Sequence, residues 1–248
     1  MSRKCFGIAT AAAVALAVGM SAEQAKAGLV LEVGNQVFTD NAIGDADPAT
    51  GRIVASLSGP SSFLYSVNIS TSNNPGTVHG GILDITSITA HNFGPTQATL
   101  TIKVRDDSFT TPGTARADMK GVSRFGGSLN GLGWTDSVSF QSFADPDNVS
   151  PAAAVPTSPL TFQRTLPAGG SEAFSGSNEA YFTRDGSLYS LANVLTITLS
   201  SGASVNVSGT TTAYEVPDSL IVPLPGAALA GLVGLASLGV TRLRRRMD

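Results

Sequence analysis

The chain has few of the residues from which catalytic and metal sites are usually built. Its 248 residues include one cysteine, one tryptophan and two histidines, and 13% of them are charged, well below the ~25% of an average protein. The one cysteine, Cys5, lies in the N-terminal apolar segment, so the rest of the chain can form no disulfide, thiolate metal site or cysteine nucleophile. His79 and His91 lie beside turns, and no Gly-x-Ser-x-Gly motif accompanies them. These absences favour a non-enzymatic protein over a secreted hydrolase.

A basic surface is missing as well. Residues 28–218 contain eight Lys/Arg and sixteen Asp/Glu, a net charge of −8, because the remaining bases lie near the two ends of the chain. A nucleic-acid-binding protein needs a basic patch or stripe. The sequence therefore predicts no nucleic-acid partner for this part of the chain.

The first 27 residues have the three parts of a secretory signal peptide. Arg3 and Lys4 precede an uncharged apolar run at 6–20, and Ala25 and Ala27 supply the small residues that signal peptidase requires. The apolar run, of about 15 residues, is shorter than the ~20 of a membrane-spanning helix. We therefore expect residues 1–27 to be removed by signal peptidase and the protein to be exported.

Alternation of apolar and polar residues dominates the segment 28–216, which is typical of strands with one buried face. Turn residues separate the alternating runs. The sequence predicts an all-β domain, an antiparallel β-sandwich of Ig-like or jelly-roll-like type, with a division near residue 150 as an alternative. Strands are predicted at 29–33, 52–58, 63–70, 82–90, 99–104, 137–141, 160–166, 180–183, 195–199, 204–208 and 211–216.

Three segments of the same domain lack this alternation. The glycine-rich segment 121–133 is predicted to be a flexible hairpin region, and the proline-rich segment 145–159 a loop. A short helix or turn is predicted at 187–192.

Two features of the domain suggest ligands. Asp40, Asp45 and Asp47 are close together in the sequence, and calcium prefers carboxylate and carbonyl oxygens in such loops. The alternative is that these residues form turns by accepting hydrogen bonds from their own backbone. Trp134 offers a sugar-stacking platform, with a place in the core or at a strand edge as its alternative. The sequence thus names calcium as the one candidate cofactor and a surface polysaccharide as a candidate ligand.

The C-terminal segment, 217–248, contains an apolar stretch between Asp218 and Arg242. Pro223 and Pro225 disfavour helix at its start. A helix over 226–241 would be about 24 Å long, short of the ~30 Å of a bilayer core. A permanent single-span anchor is therefore a poor description of this segment, although it stays an alternative.

The tail resembles the PEP-CTERM sorting signal in its VPLPA-like variant: a proline-containing motif, a short apolar helix and a terminal arginine cluster. Leu224 stands where the name-giving motif has glutamate. The residues that carry the resemblance are Val222, Pro223, Leu224, Pro225 and Gly226, followed by Arg242, Arg244, Arg245 and Arg246.

What the resemblance implies is export, transient anchoring in the inner membrane by the C-terminal helix, and removal of the tail by an exosortase. It also implies a place at the cell surface or in the extracellular matrix, in association with exopolysaccharide and biofilm. We therefore expect a structural or adhesive surface protein. The alternative is a carbohydrate- or calcium-binding module at the cell surface.

Overall fold

The structure is a computed structural model that describes residues 28–58, 63–77, 80–111, 117–131, 135–148, 155–166, 169–184 and 186–216. The predicted signal peptide and the predicted sorting segment lie outside these residues. The strands are β1 (Val30–Val33), β2 (Gln36–Thr39), β3 (Arg52–Ser58), β4 (Phe63–Ser72), β5 (Gly81–Asn92), β6 (Ala98–Phe109), β7 (Ala117–Asn130), β8 (Ser137–Asp145), β9 (Val155–Pro156), β10 (Leu160–Gln163), β11 (Ser171–Arg184), β12 (Tyr189–Leu199) and β13 (Ser204–Glu215).

The strands form two antiparallel sheets, so the all-β, sandwich-like architecture is confirmed. Sheet A has the order β10-β8-β12-β6-β1-β2, with β9 paired to β8, and sheet B has the order β11-β7-β13-β5-β4-β3. Both sheets combine strands from before and after residue 150. The Ig-like or jelly-roll-like subtype stays a prediction.

Alternation along each strand explains how the two sheets pack. In β6, for example, Leu100, Ile102 and Val104 are buried while the residues between them are partly or fully exposed. A buried apolar residue contributes about 1.5–3 kcal/mol relative to an exposed one. The buried apolar residues of both sheets join into one hydrophobic core, which is the main source of stability of the sandwich.

Two predictions about local structure were wrong. The glycine-rich segment is not a hairpin region, because most of it lies in β7, which pairs with β11 on one side and β13 on the other. A Cβ atom on Gly127 would lie 2.1 Å from the backbone oxygen of Asn206, so this glycine allows the strands to approach closely. The helix or turn predicted at 187–192 is also wrong, because β12 begins at Tyr189.

A chain of polar side chains crosses the interior and joins the sheets. Ser142 of β8 donates to the Ser123 hydroxyl of β7 (2.9 Å) and shares a hydrogen bond with Thr211 of β13. Thr211 bonds the side-chain oxygen of Asn193, whose amide donates to the Leu83 carbonyl at 2.9 Å. Buried polar groups cost free energy unless they are bonded, and here each donor meets an acceptor across the sandwich. The network therefore fixes how the two sheets align.

Among the residues that the structure describes, no helix combines the length and apolar character needed to cross a membrane. The helix predicted over 226–241 lies outside them.

Candidate functional site

The loop between β2 and β3 contains the acidic cluster for which calcium was considered. Its central residue, Asp45, accepts three backbone hydrogen bonds. One oxygen binds the amides of Asp47 and Val54, each at 3.0 Å, and the other binds the amide of Asn41 at 3.1 Å. A carboxylate surrounded by N–H donors acts as the centre of a turn.

The other two acids of the loop are engaged in a similar way. Asp40 accepts a hydrogen bond from the backbone amide of Gly51 at 2.8 Å, and Asp47 accepts one from the backbone amide of Ala49 at 2.9 Å. The second oxygen of Asp47 lies 2.8 Å from Nε of Arg52. In the described ranges, no three His, Cys, Asp or Glu side chains gather in a way that could hold a metal ion. The calcium site stays a prediction, and the geometry favours the turn-forming alternative.

The remaining candidates are dispersed. Trp134, His79 and all the sorting residues lie outside the described residues. In the second acidic loop, Asp145 accepts the amide of Asp147 at 3.0 Å. His91 bonds the Gly202 carbonyl at 3.1 Å through Nε2 and packs edge-on against Phe93. None of these contacts creates a cleft.

A groove that the sequence did not indicate lies on the outer face of sheet B. It has a volume of about 390 Å³, within the ~300–1,000 Å³ typical of ligand sites, and it is open to solvent. Three neighbouring strands line it: β7 provides Lys120, Val122 and Arg124, β11 provides Ser177, Asn178 and Glu179, and β13 provides Tyr214.

One cross-strand row lies at an end of this groove, and two of its three residues, Lys120 and Tyr214, line it. Tyr181 of β11, Lys120 of β7 and Tyr214 of β13 are directly opposite one another in the register. Tyr181 is 60% exposed, and the ammonium of Lys120 lies 5.3 Å from the centre of its ring, close enough for a cation–π contact. Two tyrosines thus flank one lysine on a face that is open to water.

Lys120 also forms an ion pair with Glu179. The Glu179 carboxylate raises the pKa of the Lys120 ammonium, and the same hydrogen bond lowers the pKa of Glu179. Tyr181 donates to Glu179 at 3.3 Å. The three side chains hold one another in position, which leaves Tyr214 and Arg124 as groove residues with freedom to meet a ligand.

Arg124 is exposed at the end of the groove opposite Lys120. Its neighbours in the register are Ser177 of β11 and Thr210 of β13. Within the part of the chain that the structure describes, Arg124 makes no ion pair, and the other exposed bases, such as Arg52, are paired. The guanidinium therefore keeps its donors available for a ligand.

Two further carboxyl groups are perturbed by burial. Asp106 is 1% exposed, and burial raises its pKa to about 6. One carboxylate oxygen of Asp106 accepts a hydrogen bond from the side-chain amide of Asn74 at 3.2 Å, and the other has no hydrogen-bond partner among the described residues. Burial also raises the pKa of Asp84, against hydrogen bonds from Thr210 and Thr71 that lower it. Asp106 lies in the interior, so it has no access to the groove.

The sequence does not indicate the groove, because the residues that line it are far apart in the chain. Lys120 and Tyr214 meet only through strand pairing, and the first half of β11 is rich in Ser and Gly, which gave no apolar alternation. Alternation within β7 would have placed Lys120, Val122 and Arg124 on one outward face, but Gly121 and the glycines that follow Arg124 suggested a flexible hairpin region.

Comparisons with known proteins give no family for the chain. No protein-family model matches it, and no curated protein does.

Several solved structures show distant similarity to the chain. One is a carbohydrate-binding module, TmCBM61, in complex with β-1,4-galactotriose (10% identity, TM-score 0.26, 70% of this chain and 92% of that one). Another is the K1 cleaved adhesin domain of Lys-gingipain from Porphyromonas gingivalis W83 (7% identity, TM-score 0.31, 66% and 99%). A third belongs to the carbohydrate-binding modules of the β-sandwich superfamily (9% identity, TM-score 0.27, 74% and 72%). Similarity at this level carries no conclusion about what the chain binds.

Proposed function

We propose that the sandwich is a non-enzymatic, glycan-binding module of an exported surface or matrix protein, and that it attaches through the groove on the outer face of sheet B. The observation that carries the proposal is the arrangement of Tyr181, Lys120 and Tyr214 in one row beside open polar side chains. The proposal uses two tyrosines on strands that both pair with β7, while the predicted ligand residue Trp134 lies outside the described residues and stays a prediction.

The chemistry of the groove suits a sugar chain. A tyrosine ring offers an apolar face to the C–H face of a pyranose and a hydroxyl that can donate or accept. Arg124 supplies free donors for sugar hydroxyls, because Lys120 and Asn178 already bond other protein groups. Because the groove is open, the middle of a polysaccharide chain can lie across it, and no chain end has to enter. An adhesive contact with exopolysaccharide requires this, because long polymers have few ends.

Export and processing form the second part of the proposal. Signal peptidase removes residues 1–27, and an exosortase recognises the segment from Val222 to Gly226 while the helix over 226–241 and Arg242–Arg246 hold the protein in the membrane. Support comes from the order of these parts in the sequence. Intact-mass measurement of the exported protein tests it: we expect the mass to lack both ends, and a mature protein that still contains Arg246 would overturn exosortase processing.

Binding is tested with a glycan array and with calorimetry on the glycans that the array identifies. We expect Tyr214→Ala to lower the affinity of the full-length protein about tenfold, that is by about 1.4 kcal/mol, because the ring face is lost. The melting temperature should change little, since Tyr214 is not part of the core.

Phe93→Ala is the matched control, because Phe93 is an exposed aromatic residue, 64% accessible, that lies outside the groove. Its loss should leave the affinity unchanged. If no glycan binds, or if both variants bind like the parent protein, the groove is not a glycan site and a purely structural role is favoured.

A further inference from the structure

The distribution of charge in the groove goes beyond glycan binding in general. Residues 28–218 carry a net charge of −8, yet the groove contains two bases, Lys120 and Arg124, and one acid, Glu179. Lys120 and Glu179 neutralise each other in their ion pair. One positive charge, on Arg124, is left in an otherwise acidic domain.

Among the described residues of the same face, no acid compensates Arg124. In the register, the next residues across the sheet from it are Thr210 and then Asp84. Asp84 is therefore two strands away, roughly 10 Å given the ~4.8 Å spacing of strands, and it accepts hydrogen bonds from Thr210 and Thr71. On the other side, Glu179 is held by Lys120 and Tyr181.

We propose that the groove takes a uronic-acid-containing polysaccharide and that Arg124 binds the uronate carboxylate. This rests on the proposed function, because it names the class of glycan for the same groove. A guanidinium matches a carboxylate in geometry, with two parallel N–H···O bonds. Tyr214 lies four residues along β13 from Thr210, the register partner of Arg124, which is ~13 Å at ~3.3 Å per residue, so it stacks on another sugar ring of the same chain.

The acidic surroundings make the contact selective. The charge of −8 on residues 28–218 repels polyanions, so a single free arginine on this domain does not attract every acidic polymer by long-range charge alone. Binding requires that a carboxylate reach the guanidinium while a sugar ring of the same chain lies against Tyr214. A uronate polymer satisfies both conditions because each of its sugars carries a carboxylate, so one sugar pairs with Arg124 while another stacks on the tyrosine.

The experiment compares polygalacturonate with highly methyl-esterified polygalacturonate, in which the carboxylates are neutral. A parallel pair uses alginate and its esterified form, so that two uronate stereochemistries are sampled. Affinity of the full-length protein is measured for each. We expect the acidic form of at least one pair to bind ten times or more tighter than its ester. In the variant R124Q we expect that preference to vanish while the melting temperature stays the same.

R105Q is the matched control, because Arg105 is a partly exposed strand arginine on the outer face of the opposite sheet, near Glu32. It removes the same charge and should leave the preference intact.

If R105Q and R124Q weaken binding equally, the attraction is unspecific and the uronate site is overturned. If the acidic and esterified forms bind equally but Tyr214→Ala weakens both, the groove binds neutral glycan: the glycan-binding function holds and the uronate proposal fails. If no polymer binds and the glycan array is also empty, both fail.

Discussion

The loop between β2 and β3 and the groove on sheet B both contain clusters of polar side chains. In the loop these side chains bond the backbone, whereas in the groove some of them remain open to solvent. In the loop, Asp45 binds three backbone amides and Asp47 binds an amide and Arg52. In the groove, Arg124 and the hydroxyl of Tyr214 meet no protein partner among the described residues. The loop uses its polar groups to fold, and the groove leaves part of them for a ligand.

The difference shows that polar residues can cluster in the sequence without forming a binding site. Acids that are near in sequence are common in turns, since Asp bonds the amide two residues ahead. Binding requires groups that folding has oriented without saturating them. We therefore expect substitutions in the loop to change stability and substitutions in the groove to change affinity.

The largest effect is expected for Asp45→Ala. Three amides lose a charged acceptor, and hydrogen bonds to charged groups are worth about 1.5–3 kcal/mol each. Because the loop is partly exposed and water can replace some of these bonds, we expect the free energy of unfolding to fall by about 2–4 kcal/mol in urea denaturation. Glycan affinity of the folded protein should stay the same.

Asp147→Ala provides the control. Asp147 is exposed in another acidic loop, and its carboxylate makes no hydrogen bond or ion pair in the described part of the chain. Its removal should change the free energy of unfolding by less than about 0.5 kcal/mol. Equal losses in the two variants would contradict the distinction between the loop and an ordinary surface acid.

Asp106 extends the comparison to a third environment. Its carboxyl group is not surrounded by three backbone amides, as Asp45 is, and it is not exposed to water, as the groove is. Its pKa in the folded state is about 6, raised by burial above the usual aspartate value of 3.8. The folded protein therefore holds a proton that the unfolded chain releases between these values. A raised carboxyl pKa means that stability falls as the pH increases through this window.

The test compares the parent protein with Asp106→Asn, whose side chain is neutral at every pH. We expect the variant's free energy of unfolding, relative to the parent protein, to increase by about 2 kcal/mol between pH 4 and pH 7, because two pKa units correspond to about 2.7 kcal/mol at most. Urea denaturation at pH 4, 5, 6 and 7 measures this. A difference that does not vary with pH would mean that Asp106 titrates normally.

The sequence contains much of the fold but little of the groove. The strand predicted at 52–58 matches β3, and 204–208 and 211–216 prove to be one strand, β13, with an irregularity in its pairing near Gly209. β7 and the first half of β11 were missed, because glycine and serine have no apolar side chain with which to reveal a buried face. Lys120 and Tyr214 become neighbours only because β7 pairs with β13. Local sequence patterns do not reveal the register of strands that are far apart in the chain.

The smallest expected effect concerns calcium and the loop. For calcium to bind, Asp45 would have to release the amides of Asn41, Asp47 and Val54, since these donors point at the same oxygens that a cation would need. Calcium requires six to eight oxygen ligands, whereas the second oxygen of Asp40 is the one loop carboxylate atom found buried without a partner. We therefore expect no change in melting temperature when millimolar calcium replaces magnesium. Ligands that bind the folded state alone raise the melting temperature, so an increase that Asp45→Asn abolishes would show that the loop binds calcium after all and would remove the contrast with the groove.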